Sequence, residues 1–130
     1  MNSLNSAMRI SSSGLAAERF RMDVISSNIA NANSIGTNGQ EPYRRRDVSL
    51  VGSDNGVQIM GIVQDQRPFR TVHEPGNPNA DKDGNVTYSN IEPIEEMVNM
   101  MGASRAYEAN IAAFNSAKGM IRSALTIGKV

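Results

Sequence analysis

The sequence predicts a mainly α protein: long N- and C-terminal helices pair as a coiled coil, with a small central β-hairpin region between them. Three observations carry that expectation. Apolar residues recur every seven positions near the N-terminus. An apolar stripe alternates three- and four-residue steps near the C-terminus. The middle holds four of the five prolines and seven of the eleven glycines. The chain accordingly divides into an N-terminal helix over residues 1–33, an extended and β insert over 34–90, and a C-terminal helix over 91–130.

The first helix is read from Met8, Leu15, Met22 and Ile29, one heptad apart. Leu4, Ile25 and Ala32 fall on the complementary position, which Ser11 and Glu18 interrupt. The seam is narrow. Its weak point is Ser11-Ser12-Ser13-Gly14, where each residue lowers helix propensity, so residues 1–13 are expected to fray in the isolated chain.

The last helix is read from Met97, Met100, Ser104, Tyr107, Ile111, Phe114, Lys118, Ile121 and Leu125, seven of which are apolar. Asn90 is placed to cap its start, Pro93 suits the first turn, and Glu92, Glu95 and Glu96 suit its positive end. Gly128 marks its stop. Between the helices, Val48–Val51 and Val57–Val63 read as strands, the second bulged near Gly61, and Val72 and Val86-Thr87-Tyr88 as further edges.

Composition narrows function. Thirteen basic and thirteen acidic residues give zero net charge, hence no global field to draw in nucleic acid or an anionic membrane. No cysteine is present, which removes disulfides, thiolate nucleophiles and Cys-type zinc sites. The N-terminus lacks the basic cluster and apolar stretch of a Sec signal peptide, so work outside the cytoplasm requires another export route. No run is long enough to span a membrane.

A 30-residue helix is ~45 Å long, and pairing along one stripe leaves most of its surface uncovered. In residues 1–33, eighteen are Ala, Ser, Asn or Gly and five are charged, where a solvated face carries more Glu and Lys. Small uncharged side chains allow further helices to approach on several sides. A multi-chain array is the reading that follows.

Three constellations could carry chemistry, and each has a simpler reading. Asn79–Asn90 aligns with a calcium loop, but Asn90 stands where a bidentate Glu is needed and Pro75-Gly76-Asn77-Pro78 cannot be an entering helix; a tight turn between strands is preferred. Arg44-Arg45-Arg46 beside Tyr43 has no second basic cluster, and alternate strand residues face opposite ways, so ion pairs or a solvated edge are expected. His73, the one histidine, has no hydrolase motif around it. The expectation is a protein with no catalytic, cofactor-binding or metal-binding residues.

SGLAAERFRMDVISSNIANANSIGT, residues 13–37, resembles the N-terminal signature of the flagellar rod, hook and hook-associated axial proteins. SRAYEANIAAFNSAKGMI, residues 104–121, resembles their C-terminal helix, and EPYRRRDV, PFRTVHEPGNPNADKDGNV and IEPIEEMVNMMGASRAYEAN extend the likeness over nearly the whole chain, closest to a short proximal-rod member.

The resemblance implies a structural subunit of the bacterial flagellar basal body, exported through the flagellar type III apparatus without a cleaved signal peptide and assembled in the periplasmic rod. Implied partners are further copies of the chain, the rod proteins FlgB, FlgF and FlgG, and the FliE adaptor, with no nucleic acid. Terminal helices would line a tube that carries torque from rotor to hook. The implied assembly seam is Met8, Leu15, Met22, Ile25, Ile29, Met97, Met100, Tyr107, Ile111, Phe114, Ile121 and Leu125. Asn28, Asn31, Asn33 and Thr37 form a junction where the chain leaves the first helix, their side chains suited to orphan carbonyls and left-handed backbone. The alternative from another class is a soluble helical coiled-coil adaptor that stays cytoplasmic as a discrete dimer.

Overall fold

The computed structural model describes residues 2–37 and 39–128. Over these residues the chain forms α1 (Asn2–Ala30), β1 (Arg46–Ser53), β2 (Gly56–Gln64), β3 (Arg70–His73), β4 (Asn85–Tyr88) and α2 (Pro93–Ile127). Two long helices thus bracket two small hairpins. The residues separate into two compact units.

α1 stops three residues short of the expected end. The amide of Asn31 reaches the carbonyls of both Ser27 and Asn28 at 3.1 Å, a bifurcated bond that tightens the last turn. Pro93 opens α2, where its missing N–H is no loss, and the Glu92 carbonyl accepts from the Glu96 amide at 3.1 Å. Asn90 does not cap this helix; its side chain is used elsewhere, as described below. At the other end the Gly128 amide donates to Ala124 O at 3.0 Å.

One unit comprises residues up to Met22, Val48–Gly61 and the chain from Met101 on. Its interior is made of small side chains: Ser11, Ala17, Ala103 and Ala117 are buried. A Cβ at Gly14 would lie 2.8 Å from Asn110 Nδ2, so α1 and α2 approach each other there too closely for any other residue without a shift. One residue earlier, Ser13 Oγ donates to Ile10 O at 2.7 Å and accepts from the Val57 amide at 3.0 Å. Gly56, at φ +117°, closes the turn of the β1–β2 hairpin beside it, and a Cβ there would overlap Ser13 Oγ. The serine-rich stretch that weakens helix propensity is therefore where helix and hairpin meet. Propensity is overridden by close approach.

The other unit comprises Asp23–Asp47 and Ile62–Met100. β3 and β4 pair antiparallel, Arg70 opposite Tyr88 and His73 opposite Asn85. The chain leaving α1 adds a partial third strand: Ser34 O accepts from the Ser89 amide at 3.0 Å, and the Gly36 amide donates to Thr87 O at 2.9 Å. A Cβ at Gly36 would sit 2.8 Å from Gln40 O, so the backbone bends back on itself there. Val24, Ile25, Ala32, Val86 and Ile91 form the apolar core. Gly84, at φ +80°, closes the β3–β4 turn, in which Asp81 Oδ1 accepts from the amides of Asp83 and Asn85, both at 2.9 Å. The Asp-Gly run aligned with a calcium loop is here an Asx turn between strands.

Candidate functional site

The most buried large side chains among the described residues include two polar ones, Glu96 and Asn28, each with no exposed surface. They meet. Asn28 lies in the last turns of α1 and Glu96 in the first turn of α2. Asn28 Nδ2 donates to Glu96 Oε2 at 3.1 Å and to Arg46 O at 2.8 Å, while its Oδ1 accepts from the Arg46 amide at 3.1 Å. One asparagine thereby holds the end of the first helix, the start of the second, and both backbone groups of the strand entering the β region.

Arg45 fills the centre. Its Nε donates to Glu96 Oε1 in a short ion pair, its Nη1 lies 3.3 Å from Asp65 Oδ2, and its amide donates to Asn90 Oδ1 at 2.7 Å. Asn90 Nδ2 then donates to the carbonyls of Asp65 and Arg67, at 3.1 and 3.0 Å. Asn90 is thus a clamp between three backbone segments. A buried carboxylate is costly unless paired and hydrogen-bonded, and Glu96 is both.

Electrostatics favour the charged forms of Arg45 and Asp65. Burial, the largest influence on Arg45, works to lower its pKa, but the hydrogen bond and charge of Glu96, helped by Asp47 and Glu95, outweigh it and hold the pKa above the ordinary value. For Asp65 burial pushes upward and is again the largest single influence. Side-chain and backbone hydrogen bonds from Arg67, with the charges of Arg67 and Arg45, leave the carboxyl below its usual range. Arg67 also reaches Glu95 at 3.1 Å, and Arg44 donates to the carbonyls of Asp65 and Arg67 while stacking 4.2 Å over Phe69.

The three arginines divide their work. Arg44 is half-buried on Phe69 and Arg45 is buried against Glu96, whereas Arg46 points out, 5.1 Å over the Tyr43 ring. The middle one turns inward, held there by Glu96 and Asp65.

The four junction residues are placed differently. Asn28 is the hub. Asn31 is half-buried and its Nδ2 donates to Ser27 O at 2.8 Å, covering a carbonyl of the last turn of α1. Asn33 is exposed, and Thr37 bridges to Gln40 in the turn beyond.

Of the seam residues, Ile25 is buried and Met8, Leu15, Met22, Ile29, Met100, Tyr107, Phe114 and Ile121 are half-buried. Met97, Ile111 and Leu125 are exposed. The buried line of α2 runs instead through Glu96, Ala103 and Ala117, with half-buried Asn110 completing the seven-residue spacing. It lies one position before the series Met97, Ser104, Ile111 and Lys118, a rotation of about 100° on the helix.

Glu96, Arg45, Asp65 and Asn90 were not singled out as site residues by sequence. The signal that could have found Glu96 is that heptad line, followed through small and polar residues as well as apolar ones. Among the described residues no group of His, Asp and Glu could hold a metal ion, and no helix is long and apolar enough to cross a membrane. The arrangement supports architecture: it fixes the direction in which a β region leaves two helix ends.

Comparison with known proteins points the same way. Residues 8–38 match the family model described as flagella basal body rod protein, and residues 82–127 match that for the C-terminal part of flagellar basal body rod FlgEFG proteins. The chain is 42% identical over 127 residues to the flagellar basal-body rod protein FlgC of Salmonella typhimurium, covering 92% of this chain and 94% of the relative. It is 38% identical over 145 residues to the protein of that name from Bacillus subtilis, covering 95% and 97%. With the Borreliella burgdorferi protein of the same name it shares 38% over 147 residues, again 95% and 97%.

Proposed function

The chain belongs to the FlgC family of flagellar basal-body rod proteins and is a structural subunit of that rod; from this premise we propose that it builds the proximal part of the rod and transmits torque through it. The observation that carries this is identity of 38–42% to rod proteins over nine-tenths or more of both chains. The chain assembles with other rod components and with itself. Its named neighbours are FlgB, FlgF, FlgG and the FliE adaptor.

In this reading residues 1–33 and 91–130 are the rod core, their helices pairing as a coiled coil whose outer faces pack on neighbours. Residues 34–90 are the outer region. Exposed Met97, Met101, Ile111, Met120 and Leu125 on α2 support the need for foreign neighbours, since a solvated helix does not carry such a set without cost. The chain travels unfolded through the type III apparatus and folds in the periplasm at the growing tip.

Mass spectrometry of detergent-extracted hook–basal bodies, after acid removal of the filament, tests this. Recovery of the chain with the rod is expected. Recovery from cytosol as a discrete dimer, with none in basal bodies, would favour the coiled-coil adaptor instead.

A further inference from the structure

The sheet in the unit that contains β3 and β4 has one covered edge and one open edge. On one side of β4 the chain leaving α1 is already bonded, through Ser34 and Gly36. On the other side, β3 is the outermost strand. The Glu74 amide donates to Gly84 O at 2.8 Å, which fixes the phase of the β3–β4 ladder. Residues 70, 72 and 74 therefore turn their backbone groups to β4, and Thr71 and His73 turn theirs away. Both are exposed, and among the described residues their outward N–H and C=O groups bond to nothing else in the chain.

An edge of this kind is a template for a further strand. Pro68 and Pro75, which lack an amide proton, bound it on either side and keep it short. Its own side chains indicate what adds to it. Arg70-Thr71-Val72-His73-Glu74 runs from base through an apolar centre to acid, so an antiparallel copy of the same stretch complements it. With Val72 opposite Val72, Thr71 of each copy exchanges both backbone bonds with His73 of the other. Arg70 then stands opposite Glu74 at both ends, a cross-strand pair of opposite charge.

These charges are already aimed. Arg70, Val72 and Glu74 share one face of β3 by alternation. On that face Tyr88 donates to Glu74 at 2.9 Å, and the Arg70 guanidinium lies 5.0 Å from the centre of the Tyr88 ring. Among the described residues Arg70 forms no ion pair within its own chain.

We propose that two copies of the free chain pair through β3, antiparallel and about a two-fold axis at Val72, so that two three-stranded sheets become one of six strands. The contact is isologous, because the same patch serves both copies. It reverses direction between copies and so cannot recur along a stack whose copies all point one way. The pair belongs to the folded chain before it enters the rod, and incorporation separates it. Its area is small, which places it among weak, concentration-dependent associations. The pairing itself is independent of the rod-subunit reading; its place before assembly rests on that reading.

The chain has no cysteine, so one substitution reports the axis. Facing residues of a non-hydrogen-bonded pair have Cα atoms about 4.5 Å apart, within disulfide reach. Purified Val72→Cys should therefore link to itself on oxidation much faster than Lys82→Cys, which is exposed in the β3–β4 turn. Sedimentation of the unmodified chain should give an average mass that climbs toward two chains as concentration rises. Arg70→Glu, which sets like charges across both ends, should abolish that climb, and Arg70→Lys should keep it. Val72→Cys linking no faster than Lys82→Cys would overturn the pairing, as would a climb that Arg70→Glu leaves unchanged. In cells whose only copy is Val72→Cys, basal bodies should hold unlinked chain. A linked pair within them would overturn its place before assembly, whereas absence of the unmodified chain from basal bodies would contradict the rod reading and leave the solution pairing intact.

Discussion

Around Asn28 and Glu96 the chain is held by directional bonds, whereas around Gly14 and Ala117 it is held by small residues in close approach. The first unit buries an ion pair, the two amide side chains of Asn28 and Asn90 and a modest apolar core of Val24, Ile25, Val86 and Ile91. The second buries Ser11, Ala17, Ala103 and Ala117 and leaves Ile111, Met120 and Leu125 outside. Polar bonds specify one geometry and lose strength steeply when any partner is removed. Small-residue contacts specify closeness but contribute little apolar area. We therefore propose that one unit stands alone and that the other is completed by neighbours.

That contrast can be broken most directly at Glu96. Glu96→Ala leaves Arg45 buried without its main partner and should destabilise the junction unit by about 3–5 kcal/mol, read as a lowered urea midpoint by circular dichroism; a loss under 1 kcal/mol would mean that Asp65 alone satisfies Arg45. Asn28→Leu removes partners from Arg46 N, Arg46 O and Glu96 at once, and about 1–3 kcal/mol is expected for each group left dry. Rod assembly should fail while the protein is still exported, and normal motility would refute the junction role.

Gly14→Leu tests the other unit. Its side chain meets Asn110, so about 1–3 kcal/mol of overpacking is expected in the helical unit, with the junction's amide exchange unaffected. Asn31→Leu loses one bond at a half-buried site, about 1 kcal/mol, and its effect on swarming should be well below that of Asn28→Leu.

Acid separates the two regions as well. Asp65 binds its proton less readily folded than unfolded, so its contribution is present above the ordinary value of 3.8 and is lost as pH falls below it. Glu74, held down by hydrogen bonds from Asn77 and Tyr88, adds to the same trend in the same unit. Acid titration should therefore unfold the junction unit below about pH 4, monitored by amide exchange; stability that rises on acidification would reverse the sign argued here. The smallest effect is expected from Met97→Ser. Exposed at 55%, it should change the isolated chain by less than about 0.5 kcal/mol while impairing assembly.

How much of this was legible beforehand differs between the same two regions. The helices, the β1–β2 strands and the turn at Asp81–Gly84 follow from periodicity and from Gly and Asp placement, which are local signals, whereas β3 and β4 read only as edges and their pairing was not legible. Asn28 stood out as part of a repeated Asn pattern. Glu96 did not, because a Glu in the first turn of a helix is explained by the helix dipole, and nothing local says that it is buried against a residue 51 positions away. Asn90 was read as a cap for the same reason. The line of α2 through Ala103 and Ala117 was hidden by stronger apolar residues one position later, Met97 and Ile111, which the structure leaves exposed.

Hydrogen exchange on the purified chain and on assembled basal bodies tests the contrast most directly. In the free chain, amides of Arg45, Arg46 and β3–β4 should be protected while those of α2 beyond Met101 exchange quickly; in the assembled rod both should be protected. Equal protection of the two regions in the free chain would contradict the claim that one unit stands alone and the other is completed by its neighbours.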